Sequence, residues 1–226
     1  MGRAVTLLDL PVTPYAEVWK LQHTIFDALL AGEDADTLIL CEHPHVYTLG
    51  RVTDTANILF SDAQLARIGA EKFEIERGGD VTYHGPGQLV GYPLINLSHY
   101  KEDLGWYLRA LEETIIRVLA TYSIDAFRVE GRTGVWVKGQ TGDEKICAIG
   151  IKASRWCTMH GFAFNVNTDL SYFEYIVPCG IGDKQVTSLA KLLGRTVVMQ
   201  EVKERYSQAF EETFDTHLSQ VHAAVR

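Results

Sequence analysis

The chain has 226 residues, of which 46% are apolar, 10% aromatic and only 6 proline, so it can bury a sizeable core and does not read as a disordered, collagen-like or low-complexity protein. At about 150 residues per domain this length fits one domain, taken here as residues 1–226. With 21 basic against 29 acidic residues the net charge is −8, so binding to nucleic acid or to an anionic membrane would need a local basic patch, and neither is expected.

Val5 to Leu10 reads as a first strand, its Val5, Leu7 and Leu8 outweighing the loose myristoylation pattern of Met1 to Thr6. Tyr15, Val18, Trp19, Gln22, Ile25, Phe26 and Leu29 follow Pro14 at helical spacing, and that helix ends near Gly32. Thr37 to Cys41 is a short strand, followed by a long loop containing Pro44 and Gly50 and then a shorter helix after Ser61. Phe73 and Ile75 suggest a strand that enters a glycine-rich loop, and Leu89 to Leu97 resumes as a strand. A long helix runs through Leu104, Tyr107, Leu108, Leu111, Ile115, Val118 and Leu119, with Asp103 as its N-cap. Strands at Val135 to Val137, Lys145 to Ile151 and His160 to Val166 pair antiparallel, and a tail helix carries Val202, Tyr206, Ala209, Phe210 and Phe214, and with them His217 and His222. These elements predict one α/β domain with a mixed, mostly antiparallel sheet flanked by helices.

No apolar run approaches the roughly 20 residues that cross a bilayer, and the start lacks the regions of a secretory signal, so a cytoplasmic protein is expected. The four cysteines, at 41, 147, 157 and 179, form no C-x-x-C pair and read as free thiols rather than a disulfide framework. His43 and His45 flank Pro44, and His217 and His222 lie five apart; neither pair supplies a third ligand, and no metal is expected.

Three segments carry candidate chemistry. The densest is Arg77-Gly78-Gly79-Asp80-Val81-Thr82-Tyr83-His84-Gly85-Pro86-Gly87-Gln88. Its glycines allow bare backbone to approach a ligand, although a tight turn between strands with incidental polar residues would also account for it. It is neither a dinucleotide fingerprint nor a P-loop, because the glycine spacing is wrong and no Gly-Lys-Ser/Thr follows. The second is Lys145-Ile146-Cys147-Ala148-Ile149-Gly150-Ile151. As a strand it places Lys145, Cys147 and Ile149 on one face and Ile146, Ala148 and Gly150 on the other. An edge-strand lysine reaching water is the plainer reading of that stretch alone, and a partly desolvated amine able to exchange protons is the functional one. The third is Val177-Pro178-Cys179-Gly180-Ile181-Gly182. Cys41 and Cys147 look like small apolar side chains, and Cys157 has a basic neighbour but no such loop. Cys179 sits between Pro and Gly, where a sulfur can be exposed beside backbone amides; local context leaves a nucleophilic role open.

The Arg77 to Gln88 loop, Lys145 to Gly150 followed by His160-Gly161-Phe162-Ala163-Phe164-Asn165-Val166-Asn167, and Pro178-Cys179-Gly180 occur together in this order. Jointly they resemble the lipoyl (octanoyl) transferases over roughly residues 5–215. The resemblance implies the fold of the lipoate and biotin protein ligases. It also implies Cys179 as acyl-accepting nucleophile, Lys145 as the group that tunes it, and a substrate site made of Arg77, Gly78, Gly79, Asp80, Val81, Thr82, Tyr83 and His84, of Ala148, Ile149 and Gly150, and of Gly161, Phe162 and Ala163. His84 and His160 are left between orienting substrate and holding structure.

On that resemblance, the donor is octanoyl acyl carrier protein, and the acceptors are lipoyl domains of 2-oxoacid dehydrogenases and the glycine cleavage H protein. An ammonium beside the thiol would draw a cysteine from about 8.5 toward neutrality. The acyl group would arrive as a thioester, so no ATP and no other cofactor is expected, and amides near Gly79 or Gly161 would hold the oxyanion. An apolar tunnel holding six or so methylenes would contribute on the order of 5 kcal/mol. Because both protein partners are typically acidic, a basic rim of Arg128, Arg132, Lys138, Lys152 and Arg155 is expected. Two readings compete: an ATP-dependent lipoate or biotin ligase, against which Asp80 and Cys179 argue, and a non-catalytic acyl-binding protein.

Overall fold

The computed structural model describes residues 2–33, 36–177 and 186–221, and structural statements below concern these residues. The first half of the chain forms β1 (Arg3–Val12), α1 (Tyr15–Leu30), β2 (Thr37–Glu42), β3 (Val46–Leu49), α2 (Asp62–Ile68), β4 (Glu71–Glu74), β5 (Thr82–His84) and β6 (Gln88–Leu94). The second half forms α3 (Leu104–Ala120), β7 (Ala126–Val129), β8 (Arg132–Lys138), β9 (Asp143–Ser154), β10 (Cys157–Asn165), α4 (Leu189–Leu193), α5 (Met199–Phe214) and β11 (Thr216–Gln220).

Eight strands make one sheet in the order β11-β1-β2-β6-β10-β9-β8-β7. Its β11/β1 and β1/β2 ladders are parallel and the others antiparallel, so the sheet is mixed and mostly antiparallel as expected. The period of two in β2 shows how both faces are covered. Leu38 and Leu40 pack with Leu111, Ile115 and Val118 of α3 and Val202, Tyr206 and Phe210 of α5, whereas Ile39 and Cys41 pack with Val18, Phe26 and Leu29 of α1. Each fully buried Leu or Phe on these faces contributes about 1.5–3 kcal/mol relative to exposure.

Local chemistry sets the helix ends. The Asp103 carboxylate accepts from the Trp106 N–H at 3.0 Å, the predicted cap of α3. Ser61 and Gln64 make a capping box on α2, which stops at the left-handed Gly69.

The fold departs from the sequence reading in four places. Part of the long loop after β2 is a strand, β3, which pairs with β4 and β5 in a second, three-stranded sheet; such short strands give too few alternations to recognise. The strand expected to reach Leu97 ends at Leu94, because Asn96 caps a single 3-10 turn at Leu97–His99. The tail helix stops at Phe214, where Asp215 turns left-handed at φ 50°, so His217 lies on strand β11. His222 lies outside the described residues. In β9 the ladder with β8 slips at one residue: Val135 faces Cys147 and Trp136 faces Lys145, leaving Ile146 as the extra residue of a bulge.

Two glycines allow the close approach of β6 and β10. A Cβ on Gly161 of β10 would overlap the Gly91 carbonyl oxygen of β6, and one on Gly91 would strike the Phe162 ring. Neither obstacle can yield, since one is backbone and the other ring is buried against Tyr206. Gly161→Ala is therefore expected to cost about 2–3 kcal/mol and to lower Tm by roughly 8 °C, checked by thermal melting; an unchanged Tm would contradict this packing.

Candidate active site

A cavity of about 550 Å³ lies on the α1-facing side of the large sheet. Its floor is backbone as much as side chain: Gly150 and Ala148 of β9 stand opposite Gly161 and Ala163 of β10, with Val90 and Tyr92 of β6 beyond. The glycine-rich loop forms the facing wall and is fastened to the floor by a Gly78 N–H to Ile151 O bond of 2.8 Å. Gly79 sits at φ +92° and so needs glycine. Asp80 accepts from its own neighbour, the Val81 N–H, at 2.7 Å and from the Asn57 carboxamide. The buried Arg77 guanidinium donates to Thr48 O at 2.7 Å, Thr48 Oγ1 at 3.1 Å and Gly78 O at 3.2 Å, bracing the loop from inside.

The bulge at Ile146 decides where Lys145 points. Strict alternation would group Lys145 with Cys147; instead the extra residue turns Ile146 and Cys147 together into the α3/α5 core, and Lys145 and Ala148 both line the cavity. Nor is this an edge strand, because β9 lies between β10 and β8. Lys145 is 9% exposed, and its Nζ lies 4.7 Å from the centroid of the Trp136 ring, a cation–π contact inside the protein.

Of the sequence-predicted site residues, Arg77 to Thr82, His84, Ala148 to Gly150, Gly161 to Ala163, Lys145 and His160 all line this one cavity. Tyr83 does not. On β5 it points to the opposite side from Thr82 and His84, into a buried cluster with Tyr47 and Phe173, and its hydroxyl meets His45 Nδ1 at 2.7 Å. Tyr15, Tyr92 and Ile75 also line the cavity; they sit on ordinary apolar stripes, so no local pattern marks them. Cys179 lies outside the described residues, but both flanks of its segment are placed. The Val177 N–H donates to Asn57 O at 2.9 Å, and Asn57 holds Asp80 of the loop. On the other side Val186 bridges in parallel to Lys145, whose carbonyl accepts from the Thr187 N–H at 3.0 Å.

Cys41, Cys147 and Cys157 are free and buried, and burial pushes all three thiols above their ordinary range. None of these is suited to act as a thiolate. No group of three or more His, Cys, Asp or Glu side chains that could hold a metal converges among the described residues. The expected basic rim is largely neutralised: Arg128 pairs with Glu112 and Glu113, Lys138 with Asp143 and Lys152 with Glu76. Arg132 lines the cavity, and Arg155 is exposed in the β9–β10 turn.

Burial holds three histidines neutral, pushing His43 down to about 4 and His84 and His160 down to about 3 from 6.5. The Nδ1 of His43 bonds Thr13 O at 2.7 Å and its Nε2 meets Tyr92 OH at 2.7 Å. His160 adopts φ +61°, a strained value for a side chain with a Cβ, and lines the cavity. Below pH 6.5 the unfolded chain binds protons that these rings refuse in the fold, so their contribution to stability is intact above that value and lost as pH falls toward 4. The urea midpoint is expected to fall between about pH 6.5 and pH 4, and His43→Gln to fall less over that span; a variant profile parallel to the parent's contradicts this account of His43.

Residues 14–211 match the lipoyl protein ligase A/B catalytic domain. An octanoyltransferase of Bacteroides fragilis (strain YCH46) is 53% identical over 203 residues, covering 87% of this chain and 92% of that protein. One from Cytophaga hutchinsonii is 46% identical over 232 residues, covering 96% and 95%. Among solved structures, lipoate-protein ligase A bound with ATP superposes with a TM-score of 0.74 at 16% identity, over 100% of this chain and 90% of that one. The biotin protein ligase of Aquifex aeolicus, bound with biotin and ATP, gives 0.52 at 14%, over 95% and 71%. Such low identities speak for the fold alone, whereas the domain match and the identity to the two curated relatives decide the family: the chain belongs to the lipoyl protein ligase A/B catalytic domain family.

Proposed function

We propose that this protein is an octanoyltransferase of protein lipoylation, moving an octanoyl group from acyl carrier protein to a lysine of a lipoyl domain through a thioester on Cys179, with Lys145 as the partnering acid and base. The observation that carries the reading is a buried lysine on the wall of a glycine-floored cavity, with one flank of the Cys179 segment tied to that lysine and the other to Asn57, which holds Asp80 of the facing wall. Cys179 follows Val177 by two residues, a chain reach of at most about 7 Å. The names of the curated relatives support the substrate class.

In the first step the Cys179 thiolate, favoured by the Lys145 ammonium, attacks the thioester carbonyl. The tetrahedral oxyanion is held by backbone N–H groups, the Lys145 ammonium gives its proton to the departing carrier thiolate, and an acyl-Cys179 thioester and a neutral Lys145 amine remain. In the second step the ε-amino group of the acceptor lysine attacks that thioester. Lys145 takes the amine's proton, the Cys179 sulfur leaves as thiolate, and an amide is formed. The acyl group enters already activated, so the reaction needs neither nucleotide nor metal. The glycine floor leaves room for the chain, with Tyr15, Ile75 and Phe162 supplying apolar surface. The acceptors this chemistry fits are lipoyl domains of 2-oxoacid dehydrogenases and the glycine cleavage H protein.

Intact mass after incubation with octanoyl acyl carrier protein, without nucleotide, tests the reading. Wild type is expected to gain one octanoyl group, Cys179→Ser none, and Lys145→Ala to gain it at least about a hundredfold more slowly, the size of a lost acid–base group. An unlabelled wild type, or a labelled Cys179→Ser, overturns it.

A further inference from the structure

We propose that Gln88 and Asn165 are positioning residues, whose carboxamides fix the chain at Val186–Thr187 against Lys145 and so hold Lys145 in register with the segment that carries Cys179. The inference rests on the dyad proposed above and assigns work to two residues outside it.

Gln88 and Asn165 face each other across the β6/β10 ladder and are 1% and 4% exposed. Two carboxamides inside a sheet cost stability unless their polar atoms are bonded, and here the bonds form one directed chain. His84 Nδ1 meets Gln88 Oε1 at 2.9 Å. Gln88 Nε2 donates to Tyr83 O at 3.1 Å and to Asn165 Oδ1 at 2.9 Å. Asn165 Nδ2 donates to Thr187 O at 3.0 Å, and the Thr187 N–H donates to Lys145 O at 3.0 Å. The two donations from Gln88 Nε2 fix which way its carboxamide points, and since the oxygen it turns to His84 can only accept, His84 carries its proton on Nδ1. Donors thus run in one direction from the glycine-rich loop to the Thr187 carbonyl, each bond polarising the next, and the Thr187 N–H, in the preceding peptide group, adds a separate tie to the lysine's own carbonyl.

The bonds end at Thr187, where the polypeptide returns from the Cys179 segment, on the two peptide groups that flank its Cα. Asn165 holds the Thr187 carbonyl, Lys145 holds its N–H, and Val186 bridges to Lys145 beside them. A gap of only about 20 Å³ separates Gln88, Asn165, Lys145 and Val186, too little for the strand to shift without breaking these bonds. Without the Asn165 donor, the returning chain keeps its N–H tie to Lys145 but loses the carbonyl tie that sets its angle.

The pH dependence of Cys179 alkylation by iodoacetamide, with the modified residue identified by peptide mass, reads how closely the ammonium is held to the sulfur, which a merely structural role would not move. In Asn165→Leu and, less, in Gln88→Met the midpoint is expected to rise toward that of an ordinary thiol, and the rate at pH 7 to fall at least about threefold. Lys145→Met is expected to rise as far or further. Asn165→Asp, which puts an oxygen in place of the donor at nearly the same size, serves if Asn165→Leu does not fold. A midpoint unmoved in the Asn165 and Gln88 variants but raised in Lys145→Met overturns the positioning role and leaves the dyad standing. A midpoint unmoved in Lys145→Met overturns the dyad and this inference with it.

Discussion

Everything at this site follows from keeping a lysine ammonium inside a sheet. Moving such a charge out of water costs several kcal/mol unless its surroundings compensate, and a strand of regular period two gives no freedom to choose which face receives it. The extra residue at Ile146 supplies that freedom. It lets Ile146 and Cys147 fill the α3/α5 core while Lys145 turns the other way, over the Trp136 ring and onto the cavity wall. The charge is met by a π face and by a cavity, and no apolar core position is given up for it.

Most polar side chains of the glycine-rich wall and its neighbours are satisfied at short range. Arg77 spends its guanidinium on Thr48 and Gly78, Asp80 on Asn57 and Val81, and Gln88 and Asn165 on each other and on neighbouring backbone. The neutral histidines belong to this economy, since a charged ring at His43 or His84 would have neither water nor a facing carboxylate. Much of the wall is therefore braced by side chains committed to one another, and what remains open includes backbone and the buried His160 Nε2 and Arg132 Nη1, which have no hydrogen-bond partner among the described residues.

Helices and long strands were legible because burial on one or two faces imposes a period that the residues must carry: α1, α3, α5, β2 and β10 all lie where their patterns put them. The co-occurring motifs also placed most of the cavity wall. What could not be read was whatever depends on a single residue out of step. The bulge at Ile146 exchanges the faces assigned to Lys145 and Ile146 relative to the rest of β9, yet leaves the apolar string Ile146-Cys147-Ala148-Ile149 looking regular. Tyr83 sits inside the most informative motif and points away from the cavity, since every second residue of β5 must. Of the small sheet only β4 shows in the sequence, through Phe73, because β3 and β5 are just four and three residues long. The pairing of Gln88 with Asn165 depends on the β6/β10 register, which no single strand contains.

The glycine part of the cavity floor comes from one uninterrupted stretch. The hairpin of β9 and β10 runs from Asp143 to Asn165 and turns through Arg155 and Trp156, both left-handed, so Lys145, Gly150, Gly161 and Asn165 become neighbours by closing a short loop of chain. The facing wall at Arg77 to Thr82 belongs to a part of the polypeptide more than sixty residues earlier in sequence and joins at a greater loop-closure cost. Assembly of this enzyme thus divides unevenly: one half of the cleft is a locally encoded hairpin that brings its own lysine, and the other must be captured from afar, which places the slow, topology-limited event in maturation at the glycine-rich side.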